Sequence, residues 1–492
     1  MASNAALTVH QLQHDFHNLI AYVTGPEAQS HTAYEVELTL FRRLLALGAA
    51  LLRLFFVTRA AVRPLAPVTA SDGACLAYHD QRPTTYYSVV GKVRFWRHYF
   101  TAPGQTGICP LDAALSLPAR CYSDLLREWA AYGTTDESYR ESQTVLERIL
   151  GLSLSVQALE TCVADDAGDV TAFYNQPAAP TTPPTVGTIL VVQADGKGVP
   201  MVPPQPATEA PPGRLSTGQK RTKKKEAVVT GLYTIAPYRR PPEEVVAALL
   251  RDPNHTGSEA RPVPVGKELH ATLDGKAVAM RRLVQRVAQR EAPHLQHRVA
   301  LSDGAEALQQ QLLTHFPDHP LVLDIIHATE YLWDAANALL GETHVGRTAW
   351  VRTHLEQLLA GRTEALITAL EAEAHAPTCT AAQRQTVLRT VGYYQRNLPS
   401  MRYDQYLAHG WPIGTGVVEG ACGHLVKDRM EQAGMRWTKA GAQAVLDLRA
   451  VRINSHWEAY WQFHRHQQHH SLYGAAAPAS ETAEAQVLEL AA

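Results

Sequence analysis

Three carboxylates stand where folding could bring them to one place. Asp195 follows the apolar run Ile189–Val192 in "GTILVVQADGKGVP", and Asp303 ends a second apolar run in "RVALSDGAEAL". Glu419 lies among glycines in "GWPIGTGVVEGACGHLVKDRMEQAGMRW". Two strands that finish in Asp-Gly hold their carboxylates side by side if they are neighbours in a sheet. A helix crossing the same sheet end can add the third. Grouped carboxylates repel unless a cation neutralises them, so the natural occupant is a hard divalent ion, Mg2+ or Mn2+. Two such ions, about 3.5–4 Å apart, clamp the attacking and leaving oxygens of a phosphodiester. The chemistry these residues could do is metal-assisted phosphoryl transfer.

The surroundings of each acid sharpen the choice. "LHATLDGKAVAM" repeats Asp-Gly-Lys, but its upstream segment is short and mixed and it leads into a helix, so Asp274 reads as a helix start. On a regular helix running on from Glu419, Gly423, Lys427 and Met430 share roughly its face, with Arg429 alongside. Cations one or two turns from a carboxylate suit a metal beside phosphates, while a surface salt bridge would use the same residues. Six basic residues (Arg214, Lys220, Arg221, Lys223, Lys224 and Lys225) precede Glu226. That run is either a solvated loop or one that holds phosphates.

The elements that must position these residues follow from texture. A chain of 492 residues predicts two to four domains. Its net charge of −2 means that a polyanion would be met by local patches. Six cysteines without a close pair give neither a disulfide framework nor a zinc ribbon. The start lacks a signal peptide, and "LLALGAALLRLFFV" falls short of the ~20 apolar residues of a membrane span. The expectation is a cytosolic, soluble protein. Residues 36–60 read as a long helix packing against another helix of the chain or against a second copy. "TTYYSVVGKVRFWRHYF" predicts a hairpin around Gly91-Lys92 that exposes Lys92, Arg94, Arg97 and His98. Three short helices over 121–168, with Ser153 or Ser155 as a cap after Gly151, form a bundle or a helix-turn-helix. A Pro/Thr-rich linker, 175–186, leads into strands alternating with helices: a mixed sheet with helices on its faces. Residues 340–400 and 417–465 read as helical, and the Ala-rich tail as disordered.

Four segments together carry a resemblance. "VVQADGKGVPM", "VALSDGAEAL", "LVLDIIHATEYLW" and "GTGVVEGACGHLVKDRMEQAGMRW" resemble the DDE transposases of bacterial insertion sequences, within them the group named for the ISKra-four element. The resemblance runs from about residue 84 to 462. It implies an α/β, ribonuclease H-like catalytic domain with an all-α insertion, preceded by a mostly helical region with a β-hairpin and a helix-turn-helix. The implied domains are 1–83 for oligomerisation, 84–174 for DNA binding, the linker, 187–473 for catalysis with its insertion at about 340–400, and the tail 474–492.

Carried over by motif, Asp195, Asp303 and Glu419 are the catalytic residues and the ligands of two Mg2+ or Mn2+ ions. Asp324 and His327 of "DIIH" support them. Lys427, Arg429, Arg436 and Trp437, with Lys223, Lys224 and Lys225, are implied DNA contacts. The implied partners are double-stranded DNA (terminal inverted repeats and target) and further copies of the chain, in a prokaryotic, nucleoid-associated setting. The implied reaction is strand cleavage and transfer. A transposase-derived regulator without catalysis and a ribonuclease H-like nuclease are the alternatives. The paired CxxC ribbons of many relatives are missing here, since only Cys75 and Cys109 lie near the hairpin.

Overall fold

Thr32 and Glu35 form a reciprocal cap that starts the longest helix of the chain. The Glu35 amide donates to Thr32 Oγ1 at 3.4 Å, and the Thr32 amide donates to Glu35 Oε2 at 2.8 Å. The computed structural model describes residues 2–64, 68–70, 73–176, 187–203, 224–253 and 260–474. The chain divides into two compact units, Met1–Phe173 with the segment from Trp457 onward, and Tyr174–His456. No described helix is long and apolar enough to cross a membrane.

In the first unit, α1 (Ala2–Thr24) and α2 (Ala33–Ala60) precede a hairpin of β1 (Cys75–Ser88) and β2 (Gly91–Thr101). The two-residue strand Val68–Thr69 adds a third member to this sheet. Phe56 of α2 stacks on Phe95 of β2 at 4.2 Å between ring centroids, and Val93 and Leu117 complete the cluster. The hairpin thus begins at Cys75, upstream of the expected 84. Lys92, Arg94 and Trp96 are exposed, whereas Arg97 pairs with Asp112 and His98 is buried beside Ala60. The expected cationic face therefore keeps only Lys92 and Arg94, because Arg97 is neutralised locally and the end of α2 covers His98.

Next come α3 (Asp124–Asp136), α4 (Tyr139–Leu150) and α5 (Val156–Asp166). Ser123, Ser138 and Ser155 cap them in turn, and Gly151 closes α4 in the left-handed conformation at φ 66°. Leu126, Ala130, Leu146 and Leu159 form their core. The helix Trp457–Tyr473 belongs to this unit, although the expected catalytic span runs to 473. Its Tyr460 hydroxyl donates to the Asp166 carbonyl, and His464 Nδ1 lies 2.8 Å from Asp169. The Asp166 carboxylate is wholly buried 2.5 Å from Arg127, so it is paired in a setting that cannot hydrate it. Asp166→Asn leaves the Arg127 charge without its partner and should cost this unit about 3 kcal/mol in urea unfolding.

The second unit is built on five strands: β3 (Ile189–Pro200), β4 (Lys224–Ile235), β5 (Val265–Thr272), β6 (His297–Ser302) and β7 (Leu321–Leu323). Their order is β5-β4-β3-β6-β7; β4 is antiparallel to both neighbours, and β3, β6 and β7 run parallel. The fold is mixed α/β. β3 is apolar without alternation because both of its faces are covered. On one side, Leu190, Val192 and Ala300 pack against Met280 and Leu283 of α6 (Lys276–Arg290) and Leu308 and Leu312 of α7 (Glu306–His315).

The other side is covered by α8 (Ile325–Leu340), α9 (Arg347–Leu359), α10 (Thr363–Ala374), α11 (Ala381–Asn397) and α12 (Tyr403–His409). Leu332, Leu355, Leu366, Val387 and Tyr394 share a core with Ile189, Val191, Val299 and Leu301. The short α13 (Gly416–Ala421) and α14 (Lys439–Ile453) complete the unit.

Two features depart from the sequence reading. β3 does not turn at Gly196 but stays paired with β4 as far as Pro200↔Lys224. The glycines serve the strand: a Cβ at Gly196 would meet Glu226 Oε1 at 2.6 Å, and one at Gly198 would meet Lys224 Cδ at 3.0 Å. "DGKG" is thus a stretch over which neighbouring side chains lie. β5 was not anticipated, because "VGKELHAT" carries a glutamate. Glu268 is buried and held by Arg286 at 2.6 Å and Arg290 at 3.3 Å.

Candidate active site

The parallel register brings the acids together. β3 and β6 pair from Ile189↔His297 to Gln193↔Leu301, and just past the end of that ladder lie Asp195 and Asp303, near enough for the Asp303 charge to act on Asp195. β6 and β7 pair as far as Ser302↔Leu323, which sets Asp303 beside Asp324. Adjacent strands lie about 4.8 Å apart, so Asp195 within β3 and the aspartates that follow β6 and β7 lie where the parallel ladders end. Open α/β sheets place ligand chemistry at that edge. Tyr393 of α11 fixes the turn after β6, its hydroxyl donating to the Asp303 carbonyl at 3.0 Å, and Arg396 donates to the Gly304 carbonyl at 3.2 Å. The helical insertion therefore holds the second aspartate in place.

Glu419 arrives on α13, which two buried side chains pin to the sheet. Asp324 caps α8 by accepting from the amides of Ile326 (2.6 Å) and His327 (3.1 Å) through Oδ1. Its Oδ2 accepts from the Thr415 amide and from Thr415 Oγ1 at 2.5 Å. Gln193, on β3, accepts from the Val418 amide at 3.0 Å and donates to the Tyr233 hydroxyl at 3.0 Å and the Gly414 carbonyl at 3.4 Å. Glu419 Oε1 then lies 3.4 Å from Thr415 Oγ1 and 3.6 Å from His327 Nδ1.

Among the described residues, the ligand atoms of Asp324, His327 and Glu419 all lie within 4.8 Å of one another. Asp195, Asp303 and Glu419, the expected triad, are not gathered so tightly. Asp324 already accepts four hydrogen bonds, so its role here is structural, and the oxygens left for a cation belong to the other acids.

Charge is unevenly balanced at this edge. Burial raises the Asp195 carboxyl above its usual range and Asp303 adds to the rise, against hydrogen bonds from Cys422 Sγ at 3.2 Å and the Gly196 amide at 2.5 Å. Glu419 is raised by burial and by Asp324, with His327 opposing. The buried Cys422 thiol is pushed far up by burial and by Asp195, so it stays protonated and donates. Burial would raise Asp324 too, yet hydrogen bonds from His327 and Thr415 hold it below its ordinary value. His327 is pushed up to about 9, chiefly by the Asp324 carboxylate, whose Oδ1 lies 3.7 Å from its Nδ1. Cys422 and the Gly196 amide relieve Asp195 in part, and His327 and Thr415 relieve Glu419 in part; among the described residues, the group whose ligand atoms lie close enough together to share a cation is Asp324, His327 and Glu419.

The expected DNA contacts separate into two groups. Lys427, Arg436 and Lys225 are exposed; Lys224 is exposed and pairs with Glu431; Lys223 lies outside the described residues. Arg429 and Trp437 are corrections. Arg429 is wholly buried, its guanidinium 4.8 Å from the Trp437 ring centroid. The Trp437 indole donates to the Met430 carbonyl at 3.1 Å, and its backbone bonds to Pro200 and Val202 beyond β3. "GMRW" thus ties the chain after α13 to the end of β3.

The cause of the misplacement is local. The helix widens into a π-helix over Cys422–Lys427, so spacing counted at 3.6 residues per turn fails after Glu419. Lys427 points to solvent while Met430 is buried.

Sequence reasoning missed Gln193, Thr415, Cys422 and Tyr393. Of these only Gln193 left a signal, a lone amide within "ILVVQAD". Comparison of the chain with protein-family models and with curated proteins gives no match.

Two outcomes follow from this geometry. In metal-free protein, the His327 ring should titrate near pH 9 by NMR, against an ordinary value near 6.5. Because the folded value is the higher one, its stabilising contribution is complete below about pH 6.5 and is lost as the pH rises through about 9. A midpoint at or below the ordinary value would show that Asp324 does not hold the ring protonated. Gln193→Leu keeps the volume but strands the Val418 amide and should cost about 1–3 kcal/mol in denaturant unfolding.

Proposed function

We propose that this chain is a DDE-type transposase that cleaves and joins DNA strands at the ends of an insertion sequence. The observation that carries the reading is the parallel pairing of β3 and β6, past whose end Asp195 feels the charge of Asp303, with the segment bearing Glu419 tied to the same sheet through Gln193 and Asp324. Two further features support it. The strand order, with one antiparallel inner strand and three parallel strands, is the one expected of a ribonuclease H-like domain. The helices from Arg347 to Asn397 fall between the second aspartate and the glutamate, as that family requires.

Asp195, Asp303 and Glu419 are the residues that would hold Mg2+ or Mn2+. Such ions, when bound, supply a nucleophile from water or a 3′-hydroxyl and stabilise the departing oxyanion. The chain's own groups do the positioning. Asp324 orients His327 and Thr415, and His327, protonated at neutral pH, offsets part of the charge of Glu419. Gln193 keeps α13 against the strand that bears Asp195. Lys427, Arg436 and Lys225 are exposed cations for backbone phosphates, and the run from Arg214 to Lys223, outside the described residues, extends the same chemistry. Phosphate contacts of this kind make binding steeply salt-dependent. Terminal-repeat recognition falls to the hairpin and to α3–α5, read as a helix-turn-helix. The setting is the nucleoid of a prokaryotic cell.

Supercoiled plasmid carrying the DNA repeats that flank the chain's own gene separates the alternatives. The expected result is Mg2+-dependent cleavage at the repeat ends, reduced by on the order of 10³ in Asp195→Asn. Repeat binding without cleavage would make the protein a regulator. Cleavage indifferent to the repeats would make it a nuclease.

A further inference from the structure

Helix α1 carries the stretch "HQLQHDFH", whose histidines His10, His14 and His17 are all exposed. At 3.6 residues per turn they fall within an arc of about 60°, with a rise of about 6 Å from the first to the second and about 4.5 Å from there to the third. Leu12, Leu19 and Tyr22 are buried on the other side of the helix, and Arg43 of α2 lies over the Tyr22 ring at 4.1 Å. Packing thus sets the phase of α1 and leaves a stripe of imidazoles facing outward.

One of these rings already has its ligand nitrogen defined. His17 Nδ1 lies 2.6 Å from the Gln13 carbonyl, which can only accept, so Nδ1 carries the proton and Nε2 keeps the lone pair. A carbonyl acceptor on the second nitrogen is the usual support of a metal-bound histidine. Imidazoles one turn apart on a helix take one ion between them, as in motifs that place two histidines at i and i+4. The stripe spans almost two turns, so an ion is held by two histidines at a time, and His14 belongs to both pairs. We propose that this face of α1 binds a divalent copper or nickel ion through His14 and either His10 or His17. Two imidazole nitrogens, with water in the remaining positions, make the tetragonal nitrogen and oxygen set that suits Cu2+ and Ni2+ rather than the oxygen-seeking Mg2+.

Such an ion bridges two turns only while the helix is wound, so its binding adds to the stability of α1. Protons compete for the same nitrogens, so acidification releases it. The site shares no residue with the candidate active site and stands independently of the catalytic reading. The last helix, Trp457–Tyr473, offers one exposed pair at the same spacing, His466 and His470, which serves as a comparison.

The test uses the full chain and Ni2+ alone, with chymotrypsin reporting on α1. Phe16 is 53 % exposed between His14 and His17, and cleavage after it requires the helix to unwind locally. With Ni2+ at about ten times its Kd, that cut should slow about tenfold, and a chelator should restore it. His14→Ala leaves imidazoles two turns apart; it should abolish the protection and remove one ion per chain from the count by equilibrium dialysis. His10→Ala or His17→Ala leaves one pair, so each should keep the protection but need more Ni2+. His466→Ala should leave the cut after Phe16 as protected as in the wild type. A wild-type cut indifferent to Ni2+, protection that survives His14→Ala, or protection lost in His466→Ala would overturn the proposal.

Discussion

The second unit depends on one buried carboxylate. Asp324 is removed from water, and such a group is tolerated only when donors replace its hydration. Four do so: two amides at the start of α8, and the amide and hydroxyl of Thr415. One side chain therefore ends β7, starts α8 and holds the loop that leads into α13. With Gln193, which bonds the Gly414 carbonyl and the Val418 amide, it fixes the course of the glycine-rich stretch Gly414–Gly416 past the sheet and so the place of Glu419.

Around that anchor, parallel pairing does the rest. A parallel ladder places equivalent residues of neighbouring strands side by side, so Asp195, just past the paired stretch of β3, comes near the acids that follow β6 and β7. Burial raises the carboxyls of Asp195 and Glu419, and the neighbouring acids add to the rise. The fold holds them with rigid neighbours: Gln193 and Trp437 tie β3 to the chain on either side of the π-helix, and Tyr393 holds the turn after Asp303. A π-helix next to a site is a common way to aim side chains that a regular helix would misdirect.

Much of the fold was legible because its causes are local. The apolar runs of β3 and β6 and the Ser155 cap of α5 all act within a few residues of themselves. The strand β5 was not legible, because its buried Glu268 contradicts the pattern until Arg286 and Arg290 arrive from α6. The role of "DGKG" was misjudged for a similar reason: Gly and Asp favour turns locally, but an antiparallel partner kept β3 extended.

At the candidate site, residue types and apolar runs made Asp195 and Asp303 candidates, and the resemblance did as much as the local pattern to select Asp303 and Glu419. For Asp195 and Asp303 the local part of that choice was the rule that a carboxylate just after an apolar run is exposed to its neighbours. What the tertiary structure alone decided was which groups face the acids. It turned Arg429 and Trp437 inward, made Asp324 a structural clamp, and brought Cys422 to Asp195 from 227 positions away in sequence. Contacts of that kind come from strand register and helix phase. One extra residue in a helical turn changes the phase, and no local pattern reports it.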